Sequence, residues 1–383
     1  MSRLFLSNFD FEHELAASAG WNPSAALRRM NAERVTAWIA LADEGDLIET
    51  PDSIPDSFWE SLEGQGLPRV RGVEMSKNIL ARDHTIVPWG WAQRTRRLSG
   101  EIAIPSDVAV RTGNSRRWSF ELEQQQDVAL PGAARIERIE EFAQVVRHSA
   151  SQFGESDSEH AWVVKANFGM AARERILGRG PSLTTANERW LQRRLPADGT
   201  VFFEPWLRRR AEVGIQWTLP ISGNGPPELQ GITPLLTDKL GGYRGSEFSW
   251  DATVPAEWQV AVDLSQEAAV RLQQLGYFGP LGIDAAIYED SAGNTHARPL
   301  QDINARYTMG RLALGFRRLL RPGERGVWQH GRRDELSGPV TREIDLTPSL
   351  IGGAPPRHTS RVLIRKTENA SVGGVLFIPR QWP

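Results

Sequence analysis

Apolar positions along this chain recur at two spacings, and the spacings sort it into helices and strands. Residues 24–43 set Ala25, Ala26, Leu27, Met30, Val35, Trp38, Ile39 and Leu41 among polar neighbours, a helical pattern. The pattern returns over 134–152 with Ile136, Ile139, Phe142, Val145 and Val146, and over 183–195, capped near Ser182, with Trp190, Leu191 and Leu195. It returns again over 257–275 with Val260, Ala261, Leu264, Ala268, Leu272 and Leu275. Shorter helices are predicted at 56–64 and at MGRLALGFRRLL, 309–320. Strands are predicted at 3–7, 46–50, 161–165, 200–207 and 211–219, and in the tail at RVLIR and GGVLFIP. Residues 100–121 alternate and read as strands with a basic rim of Arg111, Arg116 and Arg117. Residues 220–250, rich in Gly and Pro, read as a long loop with strand fragments, of the kind that is often functional in compact enzymes. The opening order of strand, helix, strand, helix implies a small α/β domain at the N-terminus.

The stretch LGIDAAIYEDSAGNTHARPLQDINARYTMG, 281–310, carries the strongest pattern. Two strands flank a turn at 289–294 dense in Asp, Ser, Gly and Asn. The first is apolar except for Asp284; the second carries Arg298, Asp302, Asn304 and Arg306 at even spacing, hence on one face. A turn centred near Ser291 sets residue 284 opposite residue 300, with Asp302 as a diagonal neighbour of Asp284. Two carboxylates and an amide oxygen on one face suit a hard divalent cation such as magnesium. The plainer alternative is a surface hairpin with solvated acids, but an acid on so apolar a strand requires a partner. His296, beside the turn, reads as a solvated histidine.

Composition narrows the chemistry. A chain of 383 residues is long enough for two or three domains. A net charge of −2 leaves no basic footprint for nucleic acid. The absence of cysteine removes thiolate nucleophiles, disulfides and thiolate metal sites. No signal peptide or membrane-spanning window is evident, so a cytoplasmic enzyme without a membrane partner is expected. No Walker A loop, no G-x-S-x-G elbow and no H-x-x-x-H pair is present. Only four basic residues are lysines, namely Lys77, Lys165, Lys239 and Lys366; the rest are arginines. A lysine kept in such a chain marks a place where a compact point charge is needed, although Lys366 reads as incidental.

Lys165 ends a buried strand and is followed by a loop with Gly169, Arg173 and Arg175, where it can hold a polyphosphate. In VFFEPWLRRRAE, Glu204 and Glu212 flank Pro205, Trp206 and Leu207. Such an apolar linker offers backbone groups to a flat heterocycle, and a following acid can accept from ribose hydroxyls. The competing reading pairs both glutamates with Arg208, Arg209 and Arg210.

In order and spacing, VVKANFG, FFEPWLRRRAEVGI, GIDAAIY and DINAR resemble the ATP-grasp superfamily of ligases, over roughly residues 75–315. The resemblance implies an α+β, α/β architecture: an ATP-grasp fold with a nucleotide between two α+β domains, preceded by a small α/β N-terminal domain. The corresponding division is 1–100, 101–205 as central lid domain, and 206–383 as C-terminal domain with the metal site. Carried over, Lys165 and Lys77 are the nucleotide lysines. Glu204, Trp206 and Leu207 form the adenine linker, and Glu212 is the ribose acid. Asp284, Asp302 and Asn304 are metal ligands, and Arg306 faces the reacting group as a catalytic residue with Lys165. Two features depart from the family: Asp302 stands where glutamate is commoner, and the lid loop is poor in glycine, so its arginines could take over phosphate contacts.

The implied activity is an ATP-dependent carboxylate–amine ligase acting through an acyl phosphate, with ATP and magnesium or manganese. Its partners would be a small-molecule carboxylate and an amine, and a homodimer is expected. Alternatives are an ATP-grasp kinase or a nucleotide-binding protein without turnover. In the segment 233–250, Lys239 or Arg244 is expected to grip a substrate carboxylate. Asn8, Asp10 and Glu12 are expected to line the opposite side.

Overall fold

The computed structural model describes residues 2–17, 20–74, 84–169, 174–251, 253–331 and 340–366. Lys77, Arg173 and the predicted strand GGVLFIP lie outside the described residues.

Among the described residues the strands form three sheets. The first is parallel, in the order β3-β2-β1-β4, from β1 (Arg3–Leu6), β2 (Leu47–Glu49), β3 (Arg71–Val73) and β4 (Thr85–Pro88). A parallel sheet buries both faces, and β1 does so residue by residue. Leu4 and Leu6 join a small cluster with Leu47 and Ile86, whereas Phe5 points into the main core with Trp38. The predicted helix over 24–43 is an α-helix only over Ala25–Arg34. It then tightens into the 3-10 turns Val35–Ala40, buried throughout, where Trp38 donates Nε1–H to the carbonyl of Leu6 at 3.2 Å.

The second sheet is antiparallel, in the order β5-β8-β6-β7, from β5 (Ala134–Ile136), β6 (Ala161–Lys165), β7 (Arg175–Arg179) and β8 (Val201–Pro205). It has its own core, to which the helices Phe142–Gln152 and Thr185–Asp198 contribute Phe142, Val146 and Leu191. The predicted helix 134–152 therefore opens as a strand. The cap at 182 is displaced to Thr184, whose side chain accepts from the N–H of Asn187 at 3.2 Å. Trp162 is the keystone of this core. It packs edge-on against Phe142 at 4.9 Å, bonds the carbonyl of Gly180 at 2.8 Å, and lies over Gly178, where a Cβ would collide with the ring. Trp162→Ala is expected to cost about 3–5 kcal/mol, read as a lowered urea midpoint.

The third sheet holds eight strands in the order β13-β12-β9-β10-β11-β14-β16-β15. They are β9 (Arg208–Leu219), β10 (Glu228–Thr237), β11 (Tyr243–Ser249), β12 (Gly279–Glu289), β13 (Thr295–Asn304), β14 (Glu324–Gly331), β15 (Arg342–Asp345) and β16 (Thr359–Lys366). Two expectations change here. Residues 220–250 are mostly strand, not loop. The glycines that suggest a loop sit in the connections and, within the strands, at Gly231, where φ of +138° accommodates a bulge against β9, and at Gly245, where a Cβ would collide with the Trp328 carbonyl. Residues 107–125 are helical, as Asp107–Gly113 and Arg116–Gln125. Ser106 caps the first by accepting from the N–H of Ala109 at 3.1 Å, and the buried positions fall three and four apart (109, 110, 113; 119, 122, 123), not two.

Period two decides what β9 presents. Ala211, Val213, Ile215, Trp217 and Leu219 face the core, where helix Gln259–Gln274 covers them and Trp217 bonds Ser265 at 3.0 Å. Glu212, Gly214 and Gln216 occupy the other face. No described helix is long and apolar enough to cross a membrane.

Candidate functional site

That other face forms the floor of a cleft whose opposite wall is the second sheet and the segment Pro205–Leu207. The cleft gathers Lys165, Glu204, Trp206, Leu207, Glu212, Asp284, Asp302, Asn304 and Arg306. Lys239 and Arg244 are exposed and do not line it. The β10–β11 turn carries Lys239 outward, and strand alternation turns Arg244 away to pair with Asp238 at 3.1 Å. Gly241 and Tyr243 of the same hairpin line the cleft instead.

The acids are closer than turn counting implies. Asp284 stands directly opposite Asp302, not opposite Leu300, because the register shifts between Asp284 and Ala286. Ala286 pairs with Arg298, so Pro299, Leu300 and Gln301 together span Ala285. Proline has no N–H for the ladder, and a bulge accommodates it. Gly214 lies opposite Asp284 on β9, and a Cβ there would stand 3.5 Å from Asp284 Oδ1. That is ordinary contact; the neighbour such a Cβ would collide with is Gln216 Nε2, at 2.8 Å. Burial, and then the charge of Asp302, push the Asp284 carboxyl up to about 8. A carboxyl raised this far by burial and a facing carboxylate fits a divalent cation. Among the described residues no three His, Asp or Glu side chains gather as a metal cluster, so such an ion would need Asn304 and ligand oxygens besides the pair.

This pair sets an expected pH dependence. Without divalent ions, folded protein keeps a proton on Asp284 that the unfolded chain loses near the usual carboxyl value. The folded state thus binds more protons between roughly pH 4 and 8, and stability falls as pH rises through that window. Asp284→Asn should remove this part of the slope in thermal melts with EDTA. An unchanged slope would contradict the assignment.

Cations surround the acids. Arg116 reaches Asp302 at 3.5 Å and the carbonyl of Ala166 at 2.9 Å. Arg306 donates Nε–H to Glu12, Nη2–H to the Asn304 oxygen at 2.9 Å and Nη1–H to the Tyr307 carbonyl at 2.9 Å, and lies 5.6 Å from the centre of the Trp89 ring. Of the N-terminal residues expected near the site, Glu12 alone makes this contact; Asn8 is bonded to Trp89 and Gly90, and Asp10 to Asn31 and Trp21. Lys165 contacts Glu204 at 2.8 Å, and burial lowers its pKa. Despite burial, Arg298 and Lys165 hold the Glu204 carboxyl well below the usual range.

The ion-pair reading of the linker glutamates holds for Glu212 but not for Glu204. Glu212 pairs with Arg209 at 2.8 Å and also accepts from Thr237 at 2.7 Å and Gln301 at 3.2 Å. Glu204 instead binds Lys165 and Arg298. The Trp206 ring is contacted by Arg175 at 5.7 Å and Arg209 at 5.0 Å. Glu123, the buried partner of Arg298, lies just past the stretch 100–121 that reads as strands; it is carried by the helix Arg116–Gln125, four residues on from Ser119. Arg175 was noted only as part of a loop, yet it begins β7 and reaches the carbonyl of Leu240 across the cleft mouth. His296 is exposed and bonded to Asp290 at 2.8 Å.

No family model matches the sequence, and no curated protein matches it. Solved structures do. N5-carboxyaminoimidazole ribonucleotide synthetase from Thermus thermophilus superposes with a TM-score of 0.53 at 12% identity, over 96% of this chain and 94% of that one. N5-carboxyaminoimidazole synthetase from Staphylococcus aureus, complexed with ADP, gives 0.53 at 12% identity, over 87% and 91%. The ADP complex of purK, an N5-carboxyaminoimidazole ribonucleotide synthetase, gives 0.51 at 10% identity, over 88% and 91%.

Proposed function

We propose that this chain, which has the ATP-grasp fold, is an ATP-dependent ligase that joins a carboxylate to an amine through an acyl phosphate. The observation that carries the reading is the cleft itself, where Lys165, Arg116 and Arg306 converge on the Asp284–Asp302 pair beneath an apolar linker. The second sheet and its helices act as the lid, and the backbone of Glu204–Leu207 receives the base. Glu212, already oriented by Arg209, Thr237 and Gln301, faces the ribose hydroxyls.

A carboxylate resists attack because its leaving group would be oxide. Its oxygen attacks the γ-phosphorus, the bond to the bridging oxygen breaks, and ADP leaves with the electron pair. The amine then attacks the carbonyl carbon of the acyl phosphate, phosphate departs and the nitrogen loses a proton. Lys165 and Arg116 hold the polyphosphate in line, and Arg306, fixed by Glu12, Asn304 and Tyr307, faces the transferring group. Magnesium held by Asp284, Asp302 and the Asn304 carbonyl would supply charge neutralisation at the phosphate oxygens. Closure of the lid keeps water from the acyl phosphate.

A coupled ADP-release screen over amino acids and small acids tests the reading. ADP that appears only with an acid and an amine together supports it. ADP formed with a hydroxyl compound alone would make the protein a kinase, and nucleotide binding without ADP formation would make it a non-catalytic binder.

A further inference from the structure

We propose that Arg298 is a positioning residue for Lys165, holding the Glu204 carboxylate when Lys165 leaves it for a nucleotide phosphate. The inference rests on the nucleotide reading of the cleft.

Four side chains form a row of alternating charge: Glu123 from helix Arg116–Gln125, Arg298 from β13, Glu204 from β8 and Lys165 from β6. Arg298 Nε and Nη2 reach Glu123 at 2.8 and 3.1 Å, and its Nη1 and Nη2 reach Glu204 at 2.7 and 3.3 Å. Lys165 Nζ reaches Glu204 at 2.8 Å. The Glu123 and Arg298 side chains are 2% and 5% exposed, and those of Glu204 and Lys165 are 12% and 15% exposed. The row therefore sits out of bulk water.

Lys165 has two competing partners. A phosphate can take it only if Glu204 gives it up, and a buried carboxylate that loses its sole cation is strongly destabilised. With Lys165 as its only partner, Glu204 would oppose every binding event. Arg298 removes that opposition, because it remains bonded to both Glu204 oxygens after the lysine departs. Its planar fork can serve two carboxylates at once, a task that a lysine's point charge cannot match. Glu123 fixes the fork from behind. Burial disfavours the Arg298 charge, yet Glu123 and Glu204 together hold its pKa well above the ordinary value, so it stays charged.

The test is calorimetric titration of the full chain with magnesium and a non-hydrolysable ATP analogue, with thermal melts to confirm folding. Glu123→Gln is present in each multiple variant, so that removing Arg298 strands no second carboxylate. In E123Q/R298Q, Glu204 retains only Lys165, and the analogue should bind at least about tenfold more weakly than to wild type. Adding E204Q releases Lys165, and affinity should return to within about threefold of wild type, although a third member of the row is gone. E123Q/R298K, which keeps one charge for Glu204 alone, should also stay within about threefold. Wild-type affinity in E123Q/R298Q, no recovery in the triple variant, or a loss in folded E123Q/R298K as large as that in E123Q/R298Q would each overturn the inference. A wild-type protein that binds no nucleotide would instead sink the nucleotide reading, and this inference with it.

Discussion

Asp302→Ala is expected to abolish the proposed ATP-dependent turnover, by at least about a thousandfold, while leaving the fold as stable as before or more so. The first half follows from loss of one of two facing carboxylates, since a metal-held charge contributes several kcal/mol and about 4 kcal/mol is three decades in rate. The second half follows from the source of the Asp284 shift, in which burial is the larger cause and Asp302 the next. Removing Asp302 lessens the cost of keeping Asp284 protonated in the metal-free protein. Parallel melts and ADP-release assays measure both halves. Unchanged turnover would remove the pair from the site, and a large loss of stability would make Asp302 structural. An opposite effect on activity and stability is the signature expected of a functional charge pair.

Arg306→Ala is expected to lower kcat by about a thousandfold and to move the KM for ATP by less than about threefold, because the proposed mechanism assigns Arg306 to charge that develops on the transferring group. The single substitution carries a confounding effect. Glu12 is 4% exposed at its side chain and would be left without its cation. The informative variant is therefore Arg306→Ala with Glu12→Gln, which strands no charge. A kcat loss that persists in the double variant belongs to catalysis; full recovery of kcat would show that Arg306 acts only as a structural tie to the N-terminal unit.

The sequence exposed the acids but not their geometry. Asp284, Asp302, Asn304 and Arg306 could be placed on one face because strand alternation is a local rule. Their register was out of reach by turn counting, because Pro299 shifts it between the turn and the acids. Lys165 stood out through the scarcity of lysine, and the linker through its apolar run between glutamates. Glu123 and Arg298, by contrast, meet across 175 residues of chain. No pattern joins residues so distant, and an alternating run mistaken for strand hid the helix that carries one of them. The failure at 220–250 has a related origin. Glycine and proline mark turns and bulges as readily as loops, and here they punctuate two long strands.

The shift at Pro299 also separates the hairpin into two lengths that need not be commensurate. Pairing between Glu289 and Thr295 and back to Ala286 and Arg298 is set by the turn, whereas pairing of Asp284 with Asp302 is set again beyond the proline. The tip can therefore be lengthened at Ala292–Gly293, or opened there to create new chain ends, while the two carboxylates remain in register. This tip is the natural point for a circular permutation or an inserted reporter domain in a chain whose two facing carboxylates are only a few pairs away.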